Sequence, residues 1–165
     1  MEHTLAVMEI CDVAANLYPS VDRGLLLTGA LLHDIGNVEA YECTAFIDYS
    51  DIGRLEGHVI LGSKIVEEKI AQIADFPEEL KLRLMHLMLS HHRELRYGSP
   101  VVPMTLEALL LAYANEMDTK AGAFTRIIES ERESGATWSQ WVNLIDRYLY
   151  LGETAGEEPD AGKSD

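Results

Sequence analysis

Basic residues are scarce in this 165-residue chain: 13 lysines and arginines face 28 aspartates and glutamates, for a formal net charge of -15. Proteins that grip long nucleic acid through its phosphates present a basic face, because lysine and arginine displace condensed counterions. This balance argues against extended, sequence-independent RNA or DNA binding, and bound divalent ions would offset only part of it. Cysteine is also rare. Cys11 and Cys43 lie far apart, match no zinc-ribbon spacing, and read as two reduced thiols of a cytoplasmic protein. No apolar run approaches the roughly 18 to 20 residues of a membrane span, and Met1-Glu2-His3-Thr4 lacks the basic start of a secretory signal. With 5 prolines and 47% hydrophobic residues, the composition excludes a disordered chain and allows one core without disulfides.

What is present is helical patterning. Residues 3–17 place Leu5, Met8, Val13 and Leu17 near one face, and Pro19-Ser20 closes the segment. Asp22 is placed to cap a second helix that carries Leu25, Leu26, Ala30 and Leu32 into His33-Asp34. Gly36 then permits a turn or a close backbone approach, and 37–56 reads as irregular and acidic. A third helix starts near His58 and runs through Ile65, Val66 and Ile70. Pro77-Glu78-Glu79 opens a fourth, which carries Leu80, Leu84, Leu87 and Met88 up to His91-His92. A loop over 93–103 precedes a fifth helix, with Thr105 as its cap and Leu106–Met117 as its body, continuing past Gly122. Trp138–Leu151 makes a final amphipathic segment whose Trp138, Trp141, Tyr148 and Leu151 suit core or dimer contacts. Nothing reads as a sheet, so the expected fold is all-α, one domain over 1–151 followed by an acidic, disordered tail over 152–165.

The most informative residues are His33-Asp34, a nitrogen ligand and a carboxylate where an apolar run ends. A charged side chain there needs a partner that offsets its desolvation, and a divalent ion is the natural one. His3, His58 and the doublet His91-His92 each fall at the start or end of an expected helix, so five of the 6 histidines join one pattern. Only His86 falls outside it. Mixed imidazole and carboxylate ligands suit Mn, Fe, Co, Ni or Zn, as one or two divalent ions. Asp34 can serve two ions with one oxygen each, and two such ions can clamp a phosphoryl group and activate water.

The ordered string His3, His33-Asp34, His58, His91-His92 resembles the HD superfamily of metal-dependent phosphohydrolases. Within it, Glu2-His3-Thr4-Leu5, Gly29–Gly36, Gly57–Gly62, Leu89–His92 and Tyr97-Gly98-Ser99-Pro100 are most similar to bacterial HD-type 3′-5′ exoribonucleases of the YhaM kind. The resemblance implies an HD-domain helical bundle and hydrolysis of a phosphoester, with His3, His33, Asp34, His58, His91 and His92 as metal ligands. His33, Asp34 and His58 would carry the chemistry. Two positions depart from the family pattern. A lysine usually follows His-Asp-Ile-Gly, where this chain has Asn37, able to hydrogen-bond substrate without charge. The closing Ala-Asp-x-x-Asp-Ala reads Ala114-Asn115-Glu116-Met117-Asp118-Thr119, which puts Asn115 at a ligand position and Asp118 at the second acid.

Arg93 and Arg96 follow the doublet as candidates for substrate phosphate, and Tyr97 for stacking on a base, although solvated arginines and simple packing are the plainer readings. The family also carries an N-terminal OB-fold, whereas this sequence begins at the first ligand histidine. Without a stacking groove, a phosphorylated small molecule or nucleotide is the expected substrate as much as an RNA 3′ end. The alternative is a metal-binding regulatory or scaffold protein weakened by Asn37 and Asn115. A homo-oligomer is compatible with either.

Overall fold

The computed structural model describes residues 2–152 apart from Thr44, Glu133, Ser134 and Leu144, so the expected tail lies outside the described residues except at Gly152. The chain divides into two compact units, Met1–Asp118 and Thr119–Asp165. In order, its elements are α1 (Glu2–Leu17), α2 (Arg23–Leu32), α3 (Asn37–Ala40), β1 (Tyr41–Cys43), β2 (Ile47–Tyr49), α4 (Asp51–Glu56), α5 (His58–Ile70), α6 (Glu78–Ser90), a 3-10 turn (Leu95–Tyr97) and α7 (Leu106–Glu131).

The all-α reading holds for the framework. Asp22 caps α2 by accepting from the Leu25 amide at 3.0 Å, and Thr105 accepts from Ala108 at 3.2 Å at the start of α7. One core is shared by α1, α2, α5, α6 and α7: Val7, Cys11, Leu25, Leu26, Ala30, Val66, Ile70, Leu84, Leu87, Met88, Ala108, Leu111 and Ala114. α2 and α6 meet closely at Gly29, where an added Cβ would lie 2.4 Å from Leu87.

Three expectations need correction. The inward face of α1 is Val7 and Cys11, while Leu5, Val13 and Leu17 are exposed. The helix is turned so that His3, Val7 and Cys11, four residues apart, share one stripe. Residues 41–49 form a two-stranded antiparallel hairpin, with Tyr41 opposite Tyr49, Glu42 opposite Asp48 and Cys43 opposite Ile47. The β-branched and aromatic residues of that acidic segment favour strand over coil.

The second unit holds the last turns of α7 and a segment that is not helical. Trp138 bridges Tyr150 and Val142 bridges Arg147 in antiparallel fashion. Ser139 fixes the pairing through its backbone, which donates to Leu149 O at 2.8 Å, and through Oγ, which accepts from Leu149 N at 2.8 Å. Edge-to-face pairs Trp138–Tyr150 and Trp141–Tyr148 follow from this register, with all four rings exposed rather than in a core.

Candidate metal centre

Five of the candidate ligands occupy the next position on a buried helical stripe, and Asp34 and His92 directly follow two of them. His3 extends Val7 and Cys11 on α1, and His33 extends Leu26 and Ala30 on α2. His58 opens the stripe of Gly62, Val66 and Ile70 on α5, while His91 follows Leu84, Leu87 and Met88 on α6. Asn115 follows Leu111 on α7. The periodicity that builds the core therefore delivers these side chains to one end of it.

Gly36 completes the convergence. An added Cβ there would lie 1.9 Å from His58 O and 2.5 Å from Gly62 N, so only glycine lets the turn after Asp34 rest on the start of α5. At the other side, Arg93 takes a left-handed backbone (φ 68°) immediately after the doublet, at a cost of about 1–2 kcal/mol. Ser99 Oγ accepts from the His92 amide at 3.0 Å and fixes that turn.

Two trios result, His3–His33–Asp34 and His58–His91–His92, each with ligand atoms within 4.8 Å of one another. Asp34 lies between them. Its Oδ2 is 3.6 Å from His33 Nε2 and 3.9 Å from His3 Nε2, while its Oδ1 is 3.4 Å from His58 Nε2 and 3.8 Å from His91 Nε2.

The donor arithmetic fits cations between these atoms. His33 Nδ1 donates to Ala30 O at 2.8 Å and His91 Nδ1 donates to Met88 O at 2.6 Å, which leaves both Nε2 lone pairs facing inward. His91 Nε2 is buried without a hydrogen-bond partner. His3 Nδ1 lies 2.5 Å from Asp118 Oδ2, and its Nε2 faces Asn115 Oδ1 at 2.9 Å. With the His3 Nδ1–H donated to Asp118, the neutral ring turns its Nε2 lone pair on the Asn115 oxygen, an arrangement that either a second proton on His3 or a shared metal ion satisfies. His58 and His92 set Nε2 against Nε2 at 3.0 Å, so one ring donates to the other or both lone pairs face a cation. Burial lowers the pKa of His33 and His92 and drives that of His91 well below the usual value, helped by the neighbouring imidazoles; Asp34 opposes the fall at His33 and His92. Neutral imidazole is the form that binds metal.

Not every expected site residue faces the trios. Asn37 begins α3, half-buried, three residues beyond Asp34. Arg93 is held by Glu94 at 2.6 Å and Glu116 at 3.2 Å, with its guanidinium 5.3 Å from the Tyr113 ring centroid. Arg96 also binds Glu94, at 2.7 Å, and lies 4.9 Å from the Tyr97 ring centroid. Both arginines are thus engaged by carboxylates in this structure, and Tyr97 is exposed beside them. His86 accepts from the Met104 amide at 2.8 Å, which gives it a place in the fold. The ties made by Ser99 and Glu116 are tertiary: both residues lie in the motifs named above, but nothing local identifies their partners.

A sequence model of the HD domain matches residues 1–120. Relatives include proteins named 3'-5' exoribonuclease YhaM from Bacillus subtilis (strain 168), 37% identical over 129 residues, and from Geobacillus sp. (strain WCH70), 33% identical over 127 residues. The matched region is 77% of this chain in both, against 40% and 39% of the two relatives, so the chain spans well under half their length. No solved structure gives a significant match.

Proposed function

This chain belongs to the HD-domain family, and on that premise we propose that it hydrolyses a phosphoester of a nucleotide or of an RNA 3′ end, with two divalent transition-metal ions. The observation that carries the reading is Asp34, whose Oδ2 faces His3 and His33 while its Oδ1 faces His58 and His91. When bound, the ions supply Lewis-acid polarisation of water and of the phosphoryl oxygens.

The chain's own contribution is to hold a fixed array of lone pairs. The Ala30 and Met88 carbonyls select the tautomers of His33 and His91, and Asp118 orients His3. Asn115 presents its amide oxygen to the first trio while its nitrogen donates to His91 O, at 3.2 Å, beside the second. No reorganisation is then needed as charge develops on a phosphoryl group placed between the trios. Phosphodiester cleavage from a 3′ end is the choice guided by the relatives' names. A small nucleotide is the choice favoured by the net charge of -15.

Incubation of chelator-free protein with Mn²⁺ and a 5′-labelled short RNA, and separately with nucleoside monophosphates, tests this. Stepwise 3′ shortening or release of inorganic phosphate is expected, lost with EDTA and in Asp34→Ala. No turnover with any of Mn²⁺, Fe²⁺, Co²⁺, Ni²⁺ or Zn²⁺ would overturn it. Asn115 motivates a second reading, an ion-binding scaffold of weakened activity. Under that reading Asn115→Asp with Asn37→Lys creates activity; under the first it adds little.

A further inference from the structure

The segment between the metal ligands Asp34 and His58 carries an aromatic pair that the metal centre does not use. Side chains alternate along a strand, so the register sets Tyr41, Tyr49, Cys43 and Ile47 on one face of the hairpin and Glu42 and Asp48 on the other. The Tyr41 and Tyr49 rings lie 4.4 Å apart between centroids, tilted by 34°. The Tyr41 hydroxyl donates to that of Tyr49 at 2.8 Å, which leaves the Tyr49 O–H to donate outward. Arg54 stands 5.5 Å from the Tyr49 centroid while bonded to Asp48 at 2.7 Å. Both rings remain exposed, by 37% and 44%, with exposed Phe46 and Ile47 beside them. A lone two-stranded hairpin is marginal in water, and exposed aromatic and apolar residues on one face of it point to an interaction site.

The hairpin is held beside the metal centre. One turn of helix, α3, separates Gly36 from Tyr41, an advance of about 6 Å. Gly36 is seated on the His58 carbonyl, as above. At the far end, Ser50 donates through Oγ to Glu39 O at 2.7 Å and through its amide to Ala40 O at 3.0 Å, so both strands are tied at their base to α3. The hydrogen bond to Tyr49, burial, and the charges of Tyr49 and Asp34 raise the Tyr41 hydroxyl to about 12, which keeps the donor protonated near neutral pH.

Charge selects the occupant. Residues 37–56 contain Glu39, Glu42, Asp48, Asp51 and Glu56 against the single cation Arg54, which Asp48 already engages. A phosphate is repelled from such a surface and attracted to the metal centre. A flat, uncharged ring meets no such penalty, and bases stack on aromatic faces without needing a basic groove. We infer that the Tyr41–Tyr49 pair is the platform for the nucleobase attached to the reacting phosphoester. The inference rests on the phosphohydrolase reading and narrows its substrate class to base-bearing nucleotides and RNA ends over base-free phosphate esters.

The test is equilibrium binding to the full Mn²⁺-loaded chain of two probes: a fluorescent adenine dinucleotide with a phosphorothioate linkage, and its counterpart with an abasic 3′ residue. The wild type is expected to prefer the base-bearing probe by roughly 5- to 150-fold, the range of one base–aromatic stack. Tyr49→Leu should lose most of that preference while its affinity for the abasic probe and its metal content stay unchanged. Tyr49→Phe, which keeps the ring, should retain most of it, and so controls for collapse of the hairpin. Equal affinity of the wild type for both probes would overturn the platform. So would a preference undiminished in both Tyr49→Leu and Tyr41→Leu. A concentration-dependent dimer abolished by Tyr49→Leu, with the base preference intact, would instead assign the face to a second copy of the chain. Base-selective binding without turnover would sink the hydrolase reading alone, and turnover without base preference would sink the platform alone.

Discussion

The two halves of the candidate metal centre reach similar geometry by different means. His58, His91 and His92 come from the ends of two helices, with His91 fully buried and its Nε2 unpartnered. Each half has one fully buried histidine, His91 here and His33 in the other. The other draws on His3 from α1, His33 from α2 and Asn115 from α7, with Asp34 beside them and a second carboxylate, Asp118, bonded to His3. A carboxylate that accepts a hydrogen bond from the Nδ1–H of a histidine fixes the ring and makes Nε2 a more basic metal ligand. One half is therefore all imidazole, and the other is backed by carboxylates.

Asp34 is what the halves share, so its loss has the largest expected effect. Asp34→Ala should reduce bound metal to background at both positions, measured by elemental analysis after gel filtration without chelator. A variant that keeps one equivalent would break the idea of a shared carboxylate. Next comes Asp118→Asn. It should weaken one ion by roughly 10- to 100-fold and leave the second unchanged, a split that titration calorimetry with Mn²⁺ resolves. Equal weakening of both ions would show that Asp118 acts through the fold rather than through His3.

Much of this was legible before the fold was known. Histidines at helix ends can be read from periodicity, because the same stripe that buries Val66 or Leu87 must end at His58 or His91. Gly36 was legible as a close approach, though not its partner, since nothing local to 36 names the His58 carbonyl. The rotation of α1 was misread because Leu5, Val13 and Leu17 outweigh Val7 and Cys11 in simple hydrophobicity, while the structure turns His3 inward. Residues 41–49 and 138–150 were read without strands, since each forms only two or three residues of pairing, fixed by Ser50 in one case and Ser139 in the other. Such serine ties are tertiary and leave no periodic trace.

Asn115→Asp sharpens the comparison with a smaller and two-sided effect. The amide now faces both halves, its oxygen toward His3 and its nitrogen donating to His91 O. A carboxylate adds charge to the weaker half and should tighten its ion on the order of tenfold. It also sets an oxygen against the buried His91 carbonyl, so the metal-free protein should lose about 1–3 kcal/mol. Tighter binding on a less stable apo-protein, measured by calorimetry and urea unfolding, is the expected pair of results. Gain without loss would mean that the bond to His91 O contributes nothing.

The smallest effect is on pH, and it separates His33 from His91. Both are buried and both resist protonation in the folded chain, whereas the same residues titrate near 6.5 when unfolded. Below that value the unfolded state binds more protons, so each group removes stability as pH falls, by at most about 1.4 kcal/mol per pH unit. Above it neither contributes. Urea unfolding of metal-free protein should therefore show a plateau from pH 8 to 7 and a decline toward pH 5.5. Within that decline the halves differ. Burial lowers both residues, but the Asp34 charge opposes the fall at His33, while His92, His33 and His58 deepen it at His91. Proton NMR of the imidazole rings should find His33 titrating first as acid is added and His91 still neutral. The reverse order would mean that the Asp34 charge does not favour protonation of His33 over His91, and the contrast between an all-imidazole half and a carboxylate-backed half would fail with it.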